Sequence, residues 1–186
     1  MNPRARLKQI IEEKALMRGD FSLSSGGKSA IYFNCKRVTL DPEGVALIGE
    51  ILLAEIGKLG KIIAIGGPSI GADPVVGYIA GKSHLEGRAV AAFIVRKRPK
   101  QHGTAMTIEN VPPEGSRVVI FEDVVTTGRS TLEAIRQVER ERLQVVAVFS
   151  LIDREEGGAE ALRGYPYKAL FRRSDFAQLD EGVPEA

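Results

Sequence analysis

The sequence predicts an α/β protein whose central, mainly parallel sheet is covered by helices on both faces. Short apolar runs rich in β-branched residues alternate with longer amphipathic stretches. Most of those runs end in a turn of Gly, Pro, Ser or Thr. Size agrees, because 186 residues, 44% of them hydrophobic, fill one core and are too few for two ordinary domains.

The elements follow in order. Leu7, Ile10, Ile11 and Leu16 recur at helical spacing and predict a helix over 3–18, stopped by Gly19. Phe21 to Ser25 and Ala30 to Asn34 read as two short strands around Gly26-Gly27. Asp41 as N-cap and Pro42 in the first turn open a helix to about Lys58, closed by Gly60. Lys61 to Ile65 is a buried strand, and Asp73-Pro74 repeats the cap signal for a helix to Lys82. Ala89 to Val95 and Arg117 to Phe121 are further apolar strands. A helix from Thr131 to Arg142 leads to the last one, Gln144 to Ile152.

Composition excludes several function classes. A formal charge of +2 does not make the whole protein a nucleic-acid binder, so any anion site has to come from local clustering. Cys35 is the only cysteine, which rules out an intrachain disulfide, and with only His84 and His102 beside it a zinc site is not expected. Cys35 reads as a small core residue. No run approaches the roughly 20 apolar residues that span a bilayer, and the first twenty residues lack an apolar signal region. The expectation is a cytoplasmic protein without membrane contact.

Val119 to Thr131 (VIFEDVVTTGRST) carries the most chemistry. Two adjacent acids, Glu122 and Asp123, end an apolar run and are followed by a hydroxyl-rich turn, Thr126-Thr127-Gly128-Arg129-Ser130. Such a turn offers N–H groups, hydroxyls and the positive end of the next helix to a phosphate. Carboxylates repel a phosphate and need sugar hydroxyls or a ligand-borne divalent cation instead. A phosphorylated ribose satisfies both halves. The competing reading is structural, since Ser130 and Glu133 fit a helix capping box.

In a parallel sheet the ligand lies beyond the carboxyl ends of the strands, where loops starting at Gly66, Arg96, Glu122 and Asp153 converge. Gly66 to Gly71 holds three glycines in six residues, which suits close approach of backbone amides to an anion but also ordinary turn chemistry. Arg96 to Gly103 (RKRPKQHG) is a cationic arm with no acid between Ala89 and Ile108. A solvated loop or a nucleic-acid patch is the usual meaning of such a run. Here no aromatic is interleaved to stack on bases, and pyrophosphate, which needs several charge-assisted donors, is the better partner. The long polar segment to Pro113 suits a lid.

The ribose-phosphate stretch resembles that of the type I phosphoribosyltransferases. The arm RKRPKQHG, with FSLSSGGKSAIYFN, EDVVTTGRS and IDREEGG in the same order, is similar to the orotate phosphoribosyltransferases within that family. The resemblance implies a small N-terminal hood (about 1–40, with a C-terminal segment) on a core of about 41–165. It implies that Arg96, Lys97, Lys100 and His102 bind the pyrophosphate of phosphoribosyl pyrophosphate, some reaching across a homodimer. It places Glu122, Asp123, Val124, Val125, Thr126, Thr127, Gly128, Arg129 and Ser130 around the ribose phosphate. Orotate would meet Thr126 and Arg154, with Tyr32 and Phe33 lining the base pocket. Mg2+ would be held mainly by substrate, with Asp123 assisting.

The implied reaction is attack of orotate N1 on ribose C1 with inversion as pyrophosphate leaves, giving orotidine 5′-monophosphate for pyrimidine (UMP) synthesis. Lys100, His102 and Asp123 are the expected catalytic residues. Arg154 offers a planar fork for the orotate carboxylate, against a structural ion pair with Asp153 or Glu155. Aromatic strand residues such as Tyr32 and Phe33 are as compatible with a core role. Two positions depart from the family pattern: Ser24 and Gly71 stand where many members carry lysine, which leaves Lys28, Arg37 or Arg98 to compensate. The competing functions are transfer to another base and a regulator that senses phosphoribosyl pyrophosphate.

Overall fold

Asn2 caps helix α1 (Pro3–Ile10), its side chain accepting from the Arg4 N–H, and Pro3 stands in the first turn, where a missing N–H breaks no helical bond. This structure, a computed structural model, describes residues 2–22, 28–96 and 107–179. The predicted helix through Arg18 ends early. A π turn over Ile11–Ala15 leads into strand β1 (Leu16–Ser22), which pairs antiparallel with β2 (Lys28–Phe33). Leu16, Met17 and Arg18 have helical neighbours in sequence, but the ladder to Phe33, Tyr32 and Ile31 takes their backbone. The Gly26-Gly27 turn and Ser24 lie outside the described residues.

A short helix, α2 (Lys36–Thr39), precedes α3 (Pro42–Ile56), where Asp41 accepts from the Gly44 N–H at 2.9 Å as the sequence predicts. The core sheet contains β3 (Ala64–Pro68), β4 (Ala91–Val95), β5 (Ile108–Glu109), β6 (Arg117–Val125), β7 (Gln144–Asp153) and β8 (Tyr167–Arg172). Their order is β5-β4-β3-β6-β7-β8, parallel except for β5. The sequence reading had no β5 or β8, and β8 carries the core sheet to residue 172, beyond the expected boundary at 165. Strand β3 also begins later and runs through Gly66 and Gly67. A Cβ at Gly66 would lie 2.3 Å from the Phe93 ring and one at Gly67 1.9 Å from the Phe121 carbonyl oxygen, so both are strand residues shaped by their neighbours.

Helix α4 (Asp73–Leu85) follows β3, and α5 (Arg129–Arg140) follows β6. They cover opposite faces. Val75, Val76 and Ile79 pack with Ile65, Val119 and Phe121, while Ala134, Ile135 and Val138 pack with Ala64, Val118 and Ile120. Alternation along β6 thus feeds both cores. Because the chain leaves β3 toward one side of the sheet and β6 toward the other, a crevice opens between their carboxyl ends.

The last described segment, a 3-10 stretch over Arg173–Leu179, closes the hood onto this body. Phe176 meets Phe33 at 5.4 Å and Phe171 at 5.9 Å between ring centroids, while Lys8 lies over Phe176. Among the described residues no helix is long and apolar enough to cross a membrane.

Candidate active site

The two acids are strand residues, because β6 runs on to Val125 rather than ending at Phe121. The same alternation that sorts Val118 to Phe121 sends Glu122 toward α5 and Asp123 toward the α4 side. Glu122 Oε2 accepts from Ser130 Oγ at 3.1 Å and from Thr131 Oγ1 at 3.2 Å. The capping-box reading therefore falls: the Ser130 hydroxyl is spent on Glu122, the N-cap of α5 is Gly128 without a side-chain bond, and Glu133 pairs with Arg129 at 3.0 Å. Asp123, also buried, accepts from the Val124 N–H through Oδ1 at 3.0 Å.

Gly128 takes φ +76°, which favours glycine, and turns the chain from β6 into α5. The first bond here runs from the Leu132 N–H to the Gly128 carbonyl, so the N–H groups of the turn before it face out of the helix end. They line a cleft of about 710 Å³ between Thr126–Ser130 and Arg96. Backbone donors, hydroxyls and a helix dipole gathered in one cleft are the kind of groups that suit an anion. Arg129 is exposed with its partner Glu133 and sits at the rim.

A second cleft, of about 590 Å³, adjoins it and is lined by Lys36, Ser69, Gly71, Arg96, Glu122 and Asp123. Arg96 belongs to both. It is not free of acids, because Glu109, just past the acid-free stretch, bonds it at 3.1 Å. Both side chains are over a third exposed, so this pair is weak. Arg96 N–H also bonds the Thr107 carbonyl, fixing one end of the cationic arm against β5. Lys97, Arg98, Lys100 and His102 lie outside the described residues.

Gly71 presses on the acid. A Cβ there would lie 2.2 Å from Asp123 Oδ1 and 2.5 Å from its Cγ. Asp73 is not the predicted N-cap of α4; that position is Ala72, and Asp73 instead accepts the Ser69 hydroxyl at 2.8 Å. Cys35 is buried, and burial first and the Asp123 charge second push its thiol well above the ordinary range, which leaves it a poor nucleophile.

The Asp153 loop packs on the phosphate turn because Gly158 permits it. A Cβ at Gly158 would meet Val125 Cγ1 at 2.3 Å and the Thr126 carbonyl at 2.8 Å. The Arg154 N–H bonds the Val125 carbonyl at 2.9 Å, which sets Arg154 beside Thr126. Its side chain is buried and pairs with Glu156 at 2.8 Å, not with Asp153 or Glu155. Arg154 Nε is buried with no hydrogen-bond partner among the described residues. An unsatisfied donor of this kind is costly, and Arg154 itself lines neither of the two clefts. Beneath, Tyr167 Oη and Ser150 Oγ share a hydrogen bond at 2.8 Å, and burial raises the Tyr167 phenol.

The two hood aromatics take different roles, and Phe33 follows the core alternative. Phe33 is buried against Phe176 and serves the core. Tyr32, one residue earlier and facing the other way, is exposed beside Phe21 at 5.4 Å. Neither lines the two clefts at the end of β6. Sequence reading passed over Lys36, which sits in no motif and reaches the site only through the fold.

The family described as phosphoribosyl transferase domain matches residues 39–175. An orotate phosphoribosyltransferase of Bradyrhizobium diazoefficiens is 43% identical over 179 residues, 93% of this chain and 95% of the relative. One from Thermosynechococcus vestitus is 41% identical, over 92% of each chain. A Mycobacterium tuberculosis orotate phosphoribosyltransferase, crystallised with 5-phospho-α-D-ribosyl 1-diphosphate, superposes with a TM-score of 0.76 at 34% identity, covering 94% of this chain and 99% of that one.

Proposed function

The chain belongs to the phosphoribosyl transferase family, and from that premise we propose that it transfers the 5-phosphoribosyl group of phosphoribosyl pyrophosphate to N1 of orotate. The products are orotidine 5′-monophosphate, a pyrimidine nucleotide precursor, and pyrophosphate. One observation carries the reading: the carboxyl end of β6 offers an acid on each face beside an uncapped helix start, while the buried Arg154 Nε stands without a partner close by.

In this reading the Thr126–Ser130 turn grips the 5-phosphate and holds the ribose in register. Asp123 stands where ribose hydroxyls and positive charge at C1 would gather. As N1 bonds to C1, the C1–O bond breaks and its electron pair leaves with the pyrophosphate, which also takes up the proton that N1 gives up. Arg96 and the arm residues Lys97, Lys100 and His102 offset that charge, Lys100 most at the transition state. Arg154 supplies the fork for the orotate carboxylate, and Thr126 lies at the base end. Asp123, which lines the second cleft, would help hold an Mg2+ ion brought in with the substrate. When bound, it neutralises phosphate charge. We further propose a cytoplasmic homodimer in which the arm serves the neighbouring site, which equilibrium sedimentation can check.

The test is the ultraviolet absorbance loss of orotate with phosphoribosyl pyrophosphate and Mg2+, against uracil, hypoxanthine and xanthine. Orotate alone should be consumed. A reaction with another base and none with orotate overturns the assignment. Arg154→Ala should raise the orotate KM about tenfold or more, the scale of a lost charge-assisted bond, with the phosphoribosyl pyrophosphate KM little changed.

A further inference from the structure

Position 71 poses a question about charge. The orotate-type pattern often places a lysine there, near a polyanionic substrate, yet this chain has no room for one: any Cβ would enter the Asp123 carboxylate. A cation from another part of the chain reaches the same cleft. Lys36 lines it together with Ser69, Gly71, Arg96, Glu122 and Asp123.

Three observations set Lys36 apart from an ordinary surface lysine. Its backbone is fixed: the Val38 and Thr39 N–H groups both bond the Cys35 carbonyl at 2.9 Å, and Cys35, Val38 and Thr39 are buried around it. Its side chain is exposed and makes no salt bridge among the described residues, whereas Lys14, Lys58, Lys82 and Lys168 each hold a carboxylate. It also lines the same cleft as Asp123 and Arg96, so the ammonium shares that space with the acid and a second cation. An unpaired ammonium on a rigid base, facing a cleft shared with Arg96, is suited to a polyphosphate as a mobile point charge. Arg37, the next residue, does not line this cleft.

We propose that Lys36 binds the diphosphate oxygens of phosphoribosyl pyrophosphate, supplying from the hood side the charge that position 71 cannot carry. This rests on the function proposed above. Asp123 then contacts the ribose between two cations, Arg96 and Lys36, rather than beside a lysine of its own loop.

Steady-state kinetics of Lys36→Ala and Lys36→Arg, with calorimetric titration of Mg2+ and inorganic pyrophosphate into each protein, test the proposal. Lys36→Ala should raise the KM for phosphoribosyl pyrophosphate about tenfold and weaken pyrophosphate binding by a similar factor, the scale of one charge-assisted contact. The orotate KM should stay within about twofold, and Lys36→Arg should recover most of the loss. Unchanged pyrophosphate affinity in Lys36→Ala overturns the proposal, as does an equal loss for both substrates with a lowered Tm. A wild-type protein inactive on orotate would overturn the assigned reaction instead, and the pyrophosphate titration would still decide Lys36.

Discussion

Two neighbouring strands, β3 and β6, leave the same edge of the sheet through glycine-bearing turns, and the turns do different work. After β6 the helix α5 starts at Gly128 with no side-chain cap, while the hydroxyls of Ser130 and Thr131 are committed to Glu122. Its end is left open to an anion. After β3 the helix α4 begins with Asp73, whose carboxylate takes the Ser69 hydroxyl, and Gly71 gives its missing side chain to Asp123. One glycine bends the chain; the other clears space for an acid. A Gly-rich turn between strand and helix therefore need not present the helix start in the same way, since α4 carries an acid, Asp73, in its first turn. Helix α3 is the control, with Asp41 as a true cap on Gly44.

The largest effect should come from the acid for which Gly71 leaves room. Asp123→Ala should lower kcat/KM by about 10²–10³, the scale for removing one preorganised electrostatic group. Gly71→Ala alone should cost about tenfold, and in the Asp123→Ala background almost nothing, a coupling of about 1–2 kcal/mol between residues in contact. Additive losses in that double-mutant cycle would show that Gly71 serves only its own loop. Next, Thr131→Val removes a donor to a buried carboxylate and should destabilise the fold by about 1–2 kcal/mol in urea titrations. An unchanged midpoint would mean that Glu122 is held by other contacts.

The smallest effect separates cap from charge at α3. The Lys14 ammonium first, and the Gly44 N–H second, hold the Asp41 carboxyl below its ordinary range. A depressed carboxyl stabilises the fold above its unfolded pKa, near 4, and that stabilisation fades as pH falls through the lower folded value. Asp41→Asn keeps the cap and should cost up to about 1 kcal/mol at neutral pH. The gap from wild type should close on acidification below about pH 4; a gap constant from pH 7 to 3 would assign the effect to geometry alone.

Much of this was legible in the residues. The β/α alternation, the Asp41 cap and the Glu122–Ser130 stretch all rest on local pattern, and each appears where the pattern puts it, within a few residues. Leu16 to Arg18 were misread because helical spacing and strand pairing compete there, and the partner strand lies ten or more residues away. Strand β8 was missed because YKALFR carries two cations in six residues, tolerable at a sheet edge but weak as a strand signal. Asp73 looked like a second Asp41, and only the fold shows that Ser69 claims it.

The sequence by itself determined two of the groups at the candidate site, the pair of acids at a strand end and the hydroxyl turn after them. These are local because a strand end and the turn after it must be adjacent in the chain. The tertiary structure alone decided how those groups divide the work. Glu122 faces Ser130 and Thr131 while Asp123 faces Gly71, Phe33 turns into the core, and Lys36 arrives beside Arg96. Each depends on which elements the sheet order and the side-chain alternation bring together, and contacts between residues distant in the chain leave no periodic trace in it.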